Sequence, residues 1–167
     1  MRFRPLQRGF TLLEVMISVV VFSIGLLGVA GLMVLSVRTN HSAFLRTQAS
    51  FLAESMADRM RTNLGWIADY NGTYDASTAG AASCNTAPCT PTQLAAHDRA
   101  VWSQQLVDHL PAATATIECT NAPPSPGYAG SQPFPGLCSM TITWTEADLS
   151  KSGSTPTTQT FAWVFQP

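Results

Sequence analysis

From Val15 to Val37 the chain runs for 23 residues without a charge. As a helix at 1.5 Å per residue this stretch reaches about 35 Å, enough to cross a hydrocarbon core of roughly 30 Å. The pattern then changes without a break. Over 38–64, Leu45, Ala49, Leu52, Met56 and Met60 recur at spacings of three and four, while Arg46, Gln48, Glu54, Ser55, Asp58, Arg59 and Arg61 fill much of the rest. That is one amphipathic helical face. No proline interrupts 10–64, and Asn63-Leu64-Gly65 supplies a stop, so a single helix of about 50 residues is predicted. The stretch 65–91 has no sustained period and reads as loop. A second helix is predicted over 92–110, capped by Thr92, with Leu94, Val101, Trp102, Leu106 and Leu110 on its apolar face and Pro111 ending it. Strand signals follow at 115–119, at 138–145 with Met140, Ile142 and Trp144 aligned, and at 158–165 with Phe161, Trp163 and Phe165 aligned. The connections 122–136 and 146–156 are rich in Pro, Gly and Ser. The expected fold is α+β: a long N-terminal helix packed on a small three-stranded antiparallel meander, with one extra helix.

Composition sharpens this reading. Charged residues are 11% of the 167, well below the roughly 25% of a soluble domain, and the long apolar run carries most of that deficit. About 100 to 130 residues remain for a soluble part, enough for one modest domain. Arg2, Arg4 and Arg8 precede the run, predicting a cytoplasmic N-terminus and an exported C-terminus. From Thr62 onward there are two basic residues, Arg99 and Lys151, against seven acidic ones. Such a head repels phosphate and argues against nucleic acid as a partner.

An ordinary signal peptide fits poorly, because its apolar region has 7 to 15 residues and ends at a small-residue cleavage site. A simple membrane anchor leaves Glu14 unexplained, since a carboxylate at the bilayer centre costs about 2.5 to 3.5 kcal/mol and usually has a partner. Arg8-Gly9-Phe10-Thr11-Leu12-Leu13-Glu14 resembles the type IV prepilin signature: a basic leader, Gly before the cut, Phe after it, and Glu at the fifth mature position. The resemblance implies that prepilin peptidase cuts between Gly9 and Phe10, that Phe10 is N-methylated, and that the apolar helix is retained. It further implies a type IV pilin-like fold. Glu14 lies one helical turn from the new α-amine, where it would neutralise that amine or a neighbour's and suit the helix dipole. It is read as an assembly residue. Gly25, Gly28 and Gly31 would allow close helix packing or are ordinary glycines of a membrane helix. Many pilins carry a proline near here; this chain has Gly31.

The string 46–63, with Leu52-Ala53-Glu54 and Met56-Ala57-Asp58-Arg59-Met60-Arg61, resembles the PilV family of minor pilins, the type IV pilus modification proteins. The resemblance covers 1 to about 64. It implies a minor pilin that primes or joins a type IV pilus, in a tip or initiation complex. The implied partners are other minor and major pilins, prepilin peptidase and the inner-membrane assembly machinery. The implied location is a single inner-membrane pass with a periplasmic head, then the fibre. Asp58, Arg59 and Arg61 would be subunit contacts or a solvated face with local ion pairs. A type II secretion pseudopilin of the I class is the first alternative. The second is an adhesive or DNA-uptake pilin, with Trp66, Tyr70, Tyr74 or Tyr128 as candidate contacts. The expected organisation is a leader over 1–9, a membrane and filament-core helix over 10–37, an amphipathic continuation over 38–66 and a head over 67–167.

Cys84, Cys89, Cys119 and Cys138 are the four cysteines. An even number in an exported head reads as two disulfides, and four cysteines allow three pairings. Cys84–Cys89 closes a tight loop and Cys119–Cys138 joins two strand ends; this pairing is favoured, at roughly 2 and 3 kcal/mol. The spacings do not suit a zinc ribbon, so no metal is expected. No HExxH, GxSxG, Walker loop or GxGxxG occurs. His41, His97 and His109 are scattered, and His97-Asp98 and Asp108-His109 read as exposed polar positions. Neither an enzyme nor a cofactor is expected.

Overall fold

The computed structural model describes residues 9–79, 84, 88–120, 134, 136–146 and 155–167. The leader arginines, Tyr128 and most of the two Pro/Gly/Ser-rich connections lie outside the described residues. The chain forms two compact units, Met1–His41 and Ser42–Pro167.

Helix α1 is Leu12–Thr62, 51 residues, matching the length its patterning predicts. It passes through Gly25, Gly28 and Gly31 without interruption, and nothing lies within 4 Å of where a Cβ would stand at any of them. In the second unit, α1 buries Leu45, Ala49, Leu52, Met56 and Met60 with Ala53 and Ala57. These seven form the floor of the head core. Small residues at 49, 53 and 57 let other elements approach the helix closely.

Helix α2 is Pro91–His109. Its cap is Thr90, not Thr92. Thr90 accepts from the Gln93 amide, and the Gln93 side chain accepts from the Thr90 amide, closing a capping box with proline at the first helical position. The buried face runs through Ala95, Asp98, Trp102 and Leu106, with Leu94 and Val101 only half-buried at its edge. Trp102 donates its indole N–H to the Leu52 carbonyl at 2.8 Å and meets Tyr74 edge-on at 5.3 Å. The first of these contacts ties α2 to α1.

The sheet has four antiparallel strands in sequence order: β1 (Gly72–Tyr74), β2 (Thr114–Cys119), β3 (Cys138–Glu146) and β4 (Thr157–Phe165). The last three fall where alternation places them. Cys138, Met140, Ile142 and Trp144 of β3 face the core. β1 was not legible as a strand, and neither was the 3-10 helix Leu64–Tyr70 before it; both replace part of the expected loop. The reason is tertiary. Leu64, Ile67 and Tyr70 repeat at the three-residue period of a 3-10 turn, and the three residues of β1 are held by pairing with Ala115, Thr116 and Ile117 and by the buried Tyr74 ring. Gly72 enters β1 at φ +141°, a conformation that suits glycine, and its missing Cβ would stand 3.3 Å from the Arg99 guanidinium.

Tyr70 and Tyr74 are therefore core residues, not adhesive surface, and Trp66 is half-buried. The Tyr74 hydroxyl donates to the Tyr70 carbonyl, and Arg99 stacks 5.3 Å from the Tyr74 ring. Burial pushes both phenols above the usual tyrosine range; at Tyr70 the Asn63 amide opposes this and Asp98 adds to it, while at Tyr74 Arg99 opposes it. Below pH 10 both states of the protein keep these protons. Above it the unfolded chain loses them first, so stability falls as pH rises. Each tyrosine should contribute a slope of about 1.4 kcal/mol per pH unit. Thermal melts between pH 8 and 12 should show a steep decline starting near pH 10, reduced by about half in Tyr74→Phe.

Cys119 and Cys138 are bonded to each other, and so are Cys84 and Cys89. Cys119 and Cys138 are direct cross-strand partners, with Cα atoms 4.0 Å apart.

Candidate assembly site

The N-terminal site is built from one helix start. Thr11 precedes α1, and its hydroxyl accepts from the Glu14 amide at 3.2 Å; its carbonyl accepts from the amides of Glu14 and Val15. Thr11-Leu12-Leu13-Glu14 is the Thr-x-x-Glu string of a helix cap, a signal present in the sequence but missed in reading it. The cap sets Glu14 in the first turn, where negative charge opposes the exposed amide dipoles. Among the described residues the Glu14 carboxylate has no partner. Phe10 is 84% exposed, and the apolar side chains from Leu12 to Val37 are all exposed. Two hydroxyls inside this stretch are satisfied locally: Ser18 donates to the Glu14 carbonyl and Ser23 to the Val19 carbonyl, each at 2.7 Å. The segment thus presents apolar side chains, a backbone bonded within the helix and one carboxylate at its start, a surface suited to lipid or to other apolar helices.

The polar residues singled out on α1 divide. Asp58 and Arg61 form an exposed pair at 2.7 Å, the local ion pair of a solvated face. Arg59 does something else. It reaches Asp98 on α2 at 2.8 Å, and Asp98 is 5% exposed. The other Asp98 oxygen accepts from the Tyr70 hydroxyl at 2.8 Å. Asn63 donates to that hydroxyl at 3.3 Å and to the Pro91 carbonyl at 2.9 Å. Asp98 is consequently an internal tie rather than an exposed position, and Arg59 is paired with it across the two helices while its side chain stays 27% exposed. The sequence hides this because Arg59 and Asp98 sit 39 positions apart on two helices. His97 lies beside this tie, half-buried, while His41 and His109 are exposed elsewhere. Among the described residues no group of three His, Cys, Asp or Glu side chains is placed to hold a metal.

The comparisons bear on this N-terminal architecture. Residues 4–30 match the prokaryotic N-terminal methylation motif, and residues 31–100 match the family described as type IV pilin Tt1218. The chain is a type IV pilin-like protein. Its long N-terminal helix, four-stranded antiparallel sheet and second helix are the type IV pilin fold. No curated protein and no solved structure shows significant similarity to this pilin-like chain. Type IV pilins are structural proteins, and a prepilin motif implies processing by prepilin peptidase and assembly with other pilins. The motif match ends within the exposed run of α1, and the pilin match covers the rest of α1 and about the first half of α2.

Proposed function

We propose that this chain is a minor pilin that primes or joins a type IV pilus, after cleavage between Gly9 and Phe10 and N-methylation of Phe10. The observation that carries the reading is the uncovered apolar half of α1, which starts two residues after Phe10 and holds a single carboxylate in its first turn. In lipid it is an anchor with the arginine leader on the cytoplasmic side and the head in the periplasm. In a fibre it is a packing surface, and Glu14 neutralises the Phe10 amine of its own chain or a neighbour's. The minor-pilin role, of the PilV kind, rests on the string 46–63. Within that string the exposed residues Glu54, Asp58 and Arg61 remain available to neighbours, while Arg59 is engaged inside the head.

Deleting the gene and shearing surface fibres tests the role. Loss of pili with normal exoprotein release is the expected result. Normal pili with impaired release would assign the chain to a type II secretion pseudopilus instead. N-terminal sequencing of the mature product should read from Phe10.

A further inference from the structure

Gly9, Phe10 and Thr11 lie ahead of α1, which starts at Leu12. One residue sets the place of that start. The Glu14 amide is shared between the hydroxyl of Thr11 at 3.2 Å and its carbonyl at 3.1 Å. The Val15 amide reaches the same carbonyl at 3.3 Å, across the four residues of a helical bond. A helix begun one turn earlier needs other partners. The Glu14 amide would donate to the Phe10 carbonyl, and the Leu13 amide to the Gly9 carbonyl. The Thr11 hydroxyl holds the first of these two amides. Without that hydroxyl the Glu14 amide keeps only the tight three-residue bond to Thr11. In lipid, where a poorly paired amide is costly, it then gains by taking the Phe10 carbonyl and drawing the chain into another turn.

We infer that Thr11 is a positioning residue for processing: by capping α1 it keeps the Gly9–Phe10 bond outside the helix, in the form a peptidase accepts. Hydrolysis there adds water across the amide bond. The water oxygen goes to the Gly9 carbonyl carbon, which becomes a carboxylate, and the Phe10 nitrogen leaves with the protons as an ammonium. The carbonyl carbon must be open to attack, and cleavage therefore follows the population of the unwound form. A Gly9 carbonyl bonded to the Leu13 amide inside an extra turn would be closed to it. Thr11 thus acts through the helix start, not on the reacting atoms. The inference rests on the cleavage reading above.

The test uses the uncut full chain in non-ionic detergent with prepilin peptidase, and follows cleavage by mass. Thr11→Val keeps the side-chain shape and removes the acceptor. Its KM should rise about fivefold, the population ratio that loss of one typical cap produces, with kcat unchanged, because only the unwound fraction binds. Thr11→Ser and Thr11→Asn both supply a capping oxygen and should return KM to within about twofold of wild type. The carbonyl carbon shifts of Gly9 and Phe10 should move toward helical values in Thr11→Val and stay in place in the serine and asparagine variants. An unchanged KM in Thr11→Val, a loss confined to kcat, or failure of asparagine to restore cleavage would overturn the inference; the last would mean that the peptidase reads the threonine side chain directly. If wild-type chain is not cut between Gly9 and Phe10, the processing reading fails and takes the inference with it. Normal wild-type cutting with an indifferent Thr11→Val removes the inference alone.

Discussion

Arg59→Met should lower the stability of the head by about 2–3 kcal/mol, because it strips the partner from a buried carboxylate. Asp98 is 7% exposed at its side chain and Arg59 is 27% exposed, so some water reaches the pair and the upper end of the usual range is not expected. Methionine keeps most of the arginine stem's packing, so the loss reports charge rather than volume. The melting temperature of the full chain should drop by about 8–15 °C. Two comparisons make the result specific. Arg61→Met, which breaks the exposed pair with Asp58, should change stability by less than about 0.5 kcal/mol. Adding Asp98→Asn to Arg59→Met should recover most of the loss, because asparagine is uncharged and still accepts from the Tyr70 hydroxyl. Equal effects of Arg59→Met and Arg61→Met would show that the tie between α1 and α2 contributes nothing special.

Glu14→Ala should leave membrane insertion intact and cut recovery in sheared fibres at least tenfold. Insertion should survive because removing a carboxylate from an apolar helix makes transfer into lipid easier. Assembly should fail because the Phe10 α-amine created by cleavage would enter the fibre unpaired, and a buried unpaired charge is strongly unfavourable. Glu14→Gln separates charge from shape. It retains a polar side chain of the same length in the first turn, yet should fail like alanine if neutralisation is the role. Thr11 and its cap on the Glu14 amide stay intact in both variants, since that bond uses the backbone of residue 14. Normal fibre recovery of either variant would remove Glu14 from the assembly site.

How much of this was legible depended on whether a signal was local. The 51-residue helix, α2, and strands β2 to β4 each carry their own period, and the structure places them within one or two residues of the pattern. The methylation motif is local too. Elements stabilised by distant partners were not legible. β1 is three residues long and exists by pairing with β2, more than 40 positions away. The 3-10 helix is held by Ile67 and Tyr70 in the core, so its short apolar repeat looked like loop. Thr92 drew attention as a cap because it is a threonine near an apolar run, but Thr90 has both the proline after it and the glutamine three positions on. Asp98 looked like surface because carboxylates usually are, and its guanidinium partner sits on another helix.

The head does not begin where its own loops and strands begin. Leu45, Ala49, Leu52, Met56 and Met60 are as much a part of its interior as Trp144 or Ile117. A protease clipping ahead of Ser42 would release a whole folded body carrying a stub of spine. A clip just after Met60 would release a piece missing one wall of its interior, and that piece should collapse or precipitate. The stub of spine from Ser42 onward therefore belongs to the shortest form of the head worth preparing.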